Sequence, residues 1–182
     1  MNRAEAFELV LSRLGNGPTL HHCLACEACM EALARRFGQD PKPWGLAGLV
    51  HDMDLNVTEN DKARHSLVAA EILVGRGVDD DVVQAVLGHN DKADRKTLMS
   101  RALWVVDPTT GFITAAALVR PSRSTADLSV SSIKKRMKDK RFAAAVSRER
   151  MEACQSELGM ELDEFLGLCL SAMNDIRTQI GL

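Results

Sequence analysis

The chain has 182 residues, a formal net charge of −2, no tyrosine and only 4% aromatic residues. That charge gives no global pull towards nucleic acid or an anionic membrane, and a composition rich in Ala, Leu and Val favours small-residue helix packing over a β-sandwich. With no apolar run near the ~18 residues of a membrane span, no signal-peptide pattern at Met1-Asn2-Arg3-Ala4-Glu5 and an odd number of cysteines, a cytoplasmic setting with free thiols is the expectation.

Taken in chain order, the elements read as helices. Ala4 to Leu14 places Phe7, Val10, Leu11 and Leu14 at helical spacing, and Gly15 ends the run. Pro18-Thr19 opens a second helix that extends to Phe37. Asp40-Pro41 reads as an N-cap followed by a first-turn proline, so a third helix carries Trp44 through His51. Met53 to Asn60 reads as a loop, and Asp61 as the cap of a fourth helix through Leu73, stopped by Gly75 and Gly77. Asp79, Asp80 and Asp81 suit the positive start of a fifth helix, Val82 to His89. Asp94 is expected to cap a sixth, which Pro108 ends after Asp107. Gly111 to Val119 reads as a further helix, Arg120 to Asp127 as a polar loop, and Ser129 to Leu182 as two or three more helices. No period-two alternation, repeat or linker interrupts this pattern, so the expectation is an all-α, compact multi-helix bundle forming one domain over residues 1–182.

The stretch Gly45 to Asp54 stands out, because the apolar run Leu46 to Val50 leads straight into His51-Asp52. Burying that run carries a carboxylate to the edge of a core, where it is costly without a partner. Other polar residues recur in the same way. His22 shares a stripe with Cys26 and Cys29, His65 leads Val68, Ala69, Ile72 and Leu73, His89 follows Val82 and Val86, and Asp107 lies one turn beyond Leu103. A shared metal centre is the simplest way to satisfy them together.

The ordered set of His22, His51-Asp52, His65, His89 and Asp107 resembles the HD-domain superfamily of metal-dependent phosphohydrolases, over roughly Pro18 to Val119. The stretches Asp107 to Thr114 and Leu118 to Ser122 resemble a small bacterial subgroup of HD hydrolases. The resemblance implies an HD-like core over about 18–119, on which C-terminal helices of 129–182 pack. It also implies that His22, His51, Asp52 and Asp107 hold a divalent ion. His65 and His89 are then available to hold a second ion, contact the substrate phosphate or protonate the leaving oxygen, with Asp52, His65 and His89 as the catalytic group. Asp54 follows the pair where some relatives have glycine; an outer partner of a ligand and a simple loop carboxylate both remain open. His22 fits the register of Cys26, so His21 is expected to be exposed.

A His-and-Asp donor set suits Mn²⁺, Fe²⁺, Co²⁺, Ni²⁺ or Zn²⁺, as one or two ions. The implied function is phosphoester hydrolysis by metal-activated water on a small phosphorylated substrate, a nucleotide among the candidates. A di-iron oxygenase of the same fold and a non-catalytic metal- or nucleotide-binding module are the alternatives. Cys23-x-x-Cys26-x-x-Cys29 runs through a helix with no glycine or proline to wrap a cluster, so core packing is expected of it. The basic segment 134–150 reads mainly as a solvated face, with Arg120, Arg123 and Lys134 the candidates for a substrate-phosphate clamp. Nucleic acid is not an expected partner, because aromatics for stacking are scarce. Trp44 and Trp104 read as core.

Overall fold

The computed structural model describes residues 1–59 and 61–182, and no strand occurs among them. Asn60, the last residue of the expected 53–60 loop, lies outside the described residues. Helix α1 (Arg3–Leu14) opens on a capping box between Asn2 and Glu5. Helix α2 (Pro18–Arg36) starts with its proline and buries Cys23, Cys26, Cys29, Met30 and Leu33. Helix α3 (Pro41–Val50) is capped by Asp40, as its sequence predicts. These two cross closely. A Cβ on Gly48 would stand 2.7 Å from the backbone of Cys26 and Glu27, so only glycine allows the approach.

The middle of the chain departs from the sequence reading. Residues 55–58 form the short helix α4 (Leu55–Thr58) instead of continuous loop. Helix α5 (Leu67–Gly75) begins five residues later than the Asp61 cap predicts. Asp61 caps only a turn, by accepting from the Ala63 amide. The amide of Ala69, in the first turn of α5, goes instead to the buried carboxylate of Asp54. Helix α6 (Asp80–His89) is capped by Asp79.

Helix α7 (Leu98–Leu118) starts at a capping box of Thr97 and Ser100, not at Asp94. It also runs straight through Pro108, where two helices are expected from sequence. The C-terminal part holds a 3-10 turn (Thr125–Asp127), α8 (Val130–Met137), α9 (Arg148–Glu152), α10 (Cys154–Leu158) and α11 (Leu162–Asp175). The short α9 and α10 raise the number of helical segments above the two or three expected.

Helix α2 lies at the centre, packed on α3, α7 and α11, while α6 packs on α7 and α3. Phe112, Phe165, Leu33, Leu49, Leu103 and Met30 are fully buried in one continuous core. The five cysteines are buried free thiols. Trp44 is buried, but Trp104 is only half-buried, its ring covered by the guanidinium groups of Arg95 and Arg150. Among the described residues, no helix is long and apolar enough to cross a membrane.

Candidate metal centre

Five elements each deliver one part of the site. His22 sits in the second turn of α2, and Asp107 in the middle of α7. His51 and Asp52 follow the last residue of α3, where the helix gives way to turns. Neighbours on a regular helix diverge by about 100°, yet here, just past Val50, both side chains approach His22 Nε2, His51 Nε2 at 3.3 Å and Asp52 Oδ2 at 3.6 Å. His89 ends α6, and His65 precedes α5 in a turn.

The four imidazoles are oriented alike. His51 Nδ1 donates to the Gly48 carbonyl at 2.8 Å, and His89 Nδ1 donates to the Val86 carbonyl. His65 Nδ1 donates to Asp54 Oδ1 at 2.7 Å. The Thr110 hydroxyl donates to the Asp107 carbonyl, which leaves its oxygen to accept from His22 Nδ1 at 3.2 Å. With every Nδ1 engaged, every Nε2 points inward and offers a lone pair to a cation once its ring is neutral.

Those four nitrogens converge on Asp52. Its Oδ2 lies 3.6 Å from His22 Nε2 and 3.4 Å from His51 Nε2. Its Oδ1 lies 3.3 Å from His65 Nε2 and 3.5 Å from His89 Nε2. Asp107 Oδ1 adds a further oxygen 3.3 Å from His22 Nε2. Within each histidine pair the Nε2 atoms are 3.3 Å and 3.1 Å apart. Lone pairs and carboxylate oxygens this close repel one another unless a cation or proton lies among them. The donor set therefore fits one divalent ion on each side of Asp52, with the N and O ligands such ions take.

The electrostatics follow from this crowding. Burial works against the charge on Asp52, but His51, His65, His89 and His22 outweigh it and hold its carboxyl well below the usual range. Asp107 is depressed in the same way, chiefly by His22 and His51. Burial pulls His51 down to about 4. Burial also opposes charge on His65, yet its bonds to Asp52 and Asp54 win and lift it to about 9.

Asp54 is thus no loose loop carboxylate: it is fully buried, orienting His65 with one oxygen and starting α5 with the other. Cys26 Sγ touches Thr110 Oγ1 at 3.2 Å and flanks the His22 ring, 3.7 and 4.0 Å from its two nitrogens. His21 is half-buried rather than exposed, and with His22, Pro18, Thr114, Leu118 and Ile180 it lines a cavity of about 390 Å³.

Two of the three basic residues expected to clamp phosphate contact other groups, and the third is exposed. Arg120 donates to the Asp127 carbonyl at 2.8 Å, and Lys134 pairs with Asp163. Arg123 is exposed in a left-handed turn with φ 52°. The arginine that does reach the cluster is Arg150, which donates to Asp107 Oδ2 at 3.0 Å. Sequence reading counted Arg150 only as one member of a basic run; no local spacing ties it to Asp107, 43 residues away.

Comparison with known proteins points to one family. The chain is 28% identical over 92 residues to Ribonuclease Y of Nitratidesulfovibrio vulgaris strain DP4, which covers 50% of this chain and 18% of that protein. It is 23% identical to Ribonuclease Y of Oleidesulfovibrio alaskensis over the same length, and 28% identical over 76 residues to that of Cutibacterium acnes. The alignments thus span less than a fifth of those proteins' lengths. No solved structure matches. A family model described as HD domain matches residues 19–123, more than half of the chain, and the chain belongs to that family of metal-dependent phosphohydrolases.

Proposed function

We propose that this chain hydrolyses a small phosphorylated molecule, a nucleotide among the candidates, at a centre of two divalent ions that share Asp52. His22, His51, Asp52 and Asp107 would hold one ion, and Asp52, His65 and His89 the other. The observation that carries the reading is the convergence of four Nε2 atoms on the two oxygens of one buried carboxylate. Divalent ions in such a site bring the pKa of coordinated water from about 16 towards 7 and offset charge on a phosphate oxygen.

The protein's own contribution is orientation. The Gly48 and Val86 carbonyls, Thr110 and Asp54 each fix one imidazole before any ligand arrives, so little reorganisation is needed on binding. Ion stoichiometry decides the role of His65. At two ions it is a ligand; at one it stays protonated between Asp52 and Asp54 and is the proton donor to the leaving oxygen. The cavity of about 390 Å³ beside His22 supports a small substrate, since it falls in the range that small molecules occupy. We read residues 18–119 as the catalytic core, with the helices of 129–182 packed on it. The five buried free thiols support a cytoplasmic setting.

The relatives favour a second reading, hydrolysis of an RNA phosphodiester, because the proteins they match are named ribonucleases. One experiment separates the two. Elemental analysis of the purified protein is followed by a turnover screen over phosphomonoesters, nucleotides, cyclic and linear diesters and a short RNA. Release of phosphate from a monoester supports the first reading, and cleavage of RNA alone supports the second. Bound metal with no turnover of any substrate would favour a non-catalytic binding module.

A further inference from the structure

Arg150 lies outside the stretch that matches the HD domain, yet its guanidinium ends at the cluster. The reason begins with Pro108. Proline has no N–H, so the carbonyl of Trp104, one turn back in α7, lacks its ordinary helical partner. A buried carbonyl left without a donor is costly. Arg150 supplies two donors to that one oxygen, Nε at 2.9 Å and Nη2 at 2.6 Å. The guanidinium carbon stands 4.9 Å from the centre of the Trp104 ring. Anchored there, Nη2 also reaches Asp107 Oδ2 at 3.0 Å and the His89 carbonyl at 3.2 Å.

One side chain on α9 therefore touches an aspartate from α7 and the backbone of a histidine from α6. The two residues belong to opposite sides of Asp52. Asp107 Oδ1 faces His22 Nε2, while its Oδ2 is taken by the guanidinium. A carboxylate with one oxygen held is fixed in rotation and offers the other in a single direction.

We propose that Arg150 is a positioning residue for the metal centre: seated on the carbonyl that Pro108 leaves open, it holds Asp107 so that Oδ1 alone faces the ion. This rests on the metal-centre reading above. Lysine cannot replace it, because a single ammonium lacks the planar fork that meets the Trp104 carbonyl and the carboxylate together. Pro108 is part of the same device, since any other residue there returns an N–H that competes for the Trp104 oxygen.

The test is calorimetric titration of the full chain, stripped of metal, with Mn²⁺ alone. Arg150→Met should weaken binding by about 10- to 100-fold, as loss of a ligand's hydrogen-bond partner does. Arg150→Lys should restore little of it. Pro108→Ala should weaken binding in the same direction while leaving helix content by circular dichroism intact. In an Asp107→Ala background, Arg150→Lys should have no further effect, because the contact it breaks is already gone. Should Arg150→Met fail to fold, the lysine variant and Pro108→Ala decide the matter. Wild-type binding with unchanged affinity in both of those overturns the positioning role alone. An equal loss from Arg150→Lys in both Asp107 backgrounds overturns it too, by assigning Arg150 to general scaffolding. A wild-type chain that takes up none of Mn²⁺, Fe²⁺, Co²⁺, Ni²⁺ and Zn²⁺, each titrated alone, overturns the metal-centre reading, and this role falls with it.

Discussion

On the proposed reading Asp52, just past the end of helix α3, is shared by two ions. Each of its oxygens faces a separate pair of imidazoles, and this asymmetry makes the two-ion reading testable at single residues. Asp52→Ala should remove both ions and phosphatase activity together, whereas His65→Ala should lower the ion count from two to one. Elemental analysis of each purified variant checks this, and equal ion content in both would be incompatible with a shared Asp52. The imidazoles also set a pH profile for the metal-free protein. His51 falls to about 4 in the fold, against an ordinary value near 6.5 in an unfolded chain. Between those values the unfolded chain binds a proton that the folded one does not, so stability drops as pH falls from 6.5 towards 4. His65, lifted to about 9, acts with the opposite sign: its contribution is complete below about 6.5 and is lost as pH rises through 9. The melting temperature without metal should therefore peak between these limbs. A His51→Asn variant should lose the acid limb.

At the scale of elements, two glycines inside helices make opposite predictions. Gly48 faces the backbone of α2 at a distance no Cβ tolerates, whereas a Cβ on Gly111 in α7 would meet nothing within 4 Å. Gly48→Ala must push α3 away from α2. It should cost about 1–3 kcal/mol, the usual range for overpacking, and should draw His51 away from His22. Gly111→Ala should instead stabilise by about 0.5–1 kcal/mol, because helical glycine carries an excess conformational entropy. Denaturant unfolding of the two variants beside the parent checks both signs. A neutral Gly48→Ala would mean that α2 and α3 do not cross this closely. The start of α5 shows a related dependence. Asp54 both receives His65 and takes the Ala69 amide, so Asp54→Ala should loosen α5 and weaken the ion on the His65 side.

For the whole molecule, metal and stability are linked. The proposed ligands, drawn from α2, α6, α7 and the ends of α3 and α5, come together only in the folded state, so on that reading the ions would bind the native chain in preference to the unfolded one. A free ion at about 100 times its dissociation constant should add about 2.7 kcal/mol, which for a domain of this size is a rise in Tm of about 5–10 °C. A chelator should reverse that rise. Identical melting curves with and without chelator, for protein shown to bind metal, would mean that the ions also bind the unfolded chain.

What the sequence determined by itself is largely local. Helical spacing and caps such as Asp40 and Asp79 act within one turn, so the all-α class and most helix positions were legible from α1 to α6. So were His22, His51, Asp52, His65, His89 and Asp107, because polar residues on apolar stripes must face inward and meet something. The tertiary structure decided what no local window contains. Asp61 looks like the cap of α5, but Asp54 takes the first-turn amide from 15 residues away. Pro108 looks like a stop, but α7 continues because Arg150 satisfies the carbonyl that the proline abandons, across 46 residues. Arg120 and Lys134 look like phosphate ligands; in the structure Arg120 donates to the backbone carbonyl of Asp127 and Lys134 pairs with Asp163. For α5 and α7 the partner that settles the outcome is distant in sequence, and only packing of the core brings the two within hydrogen-bonding reach.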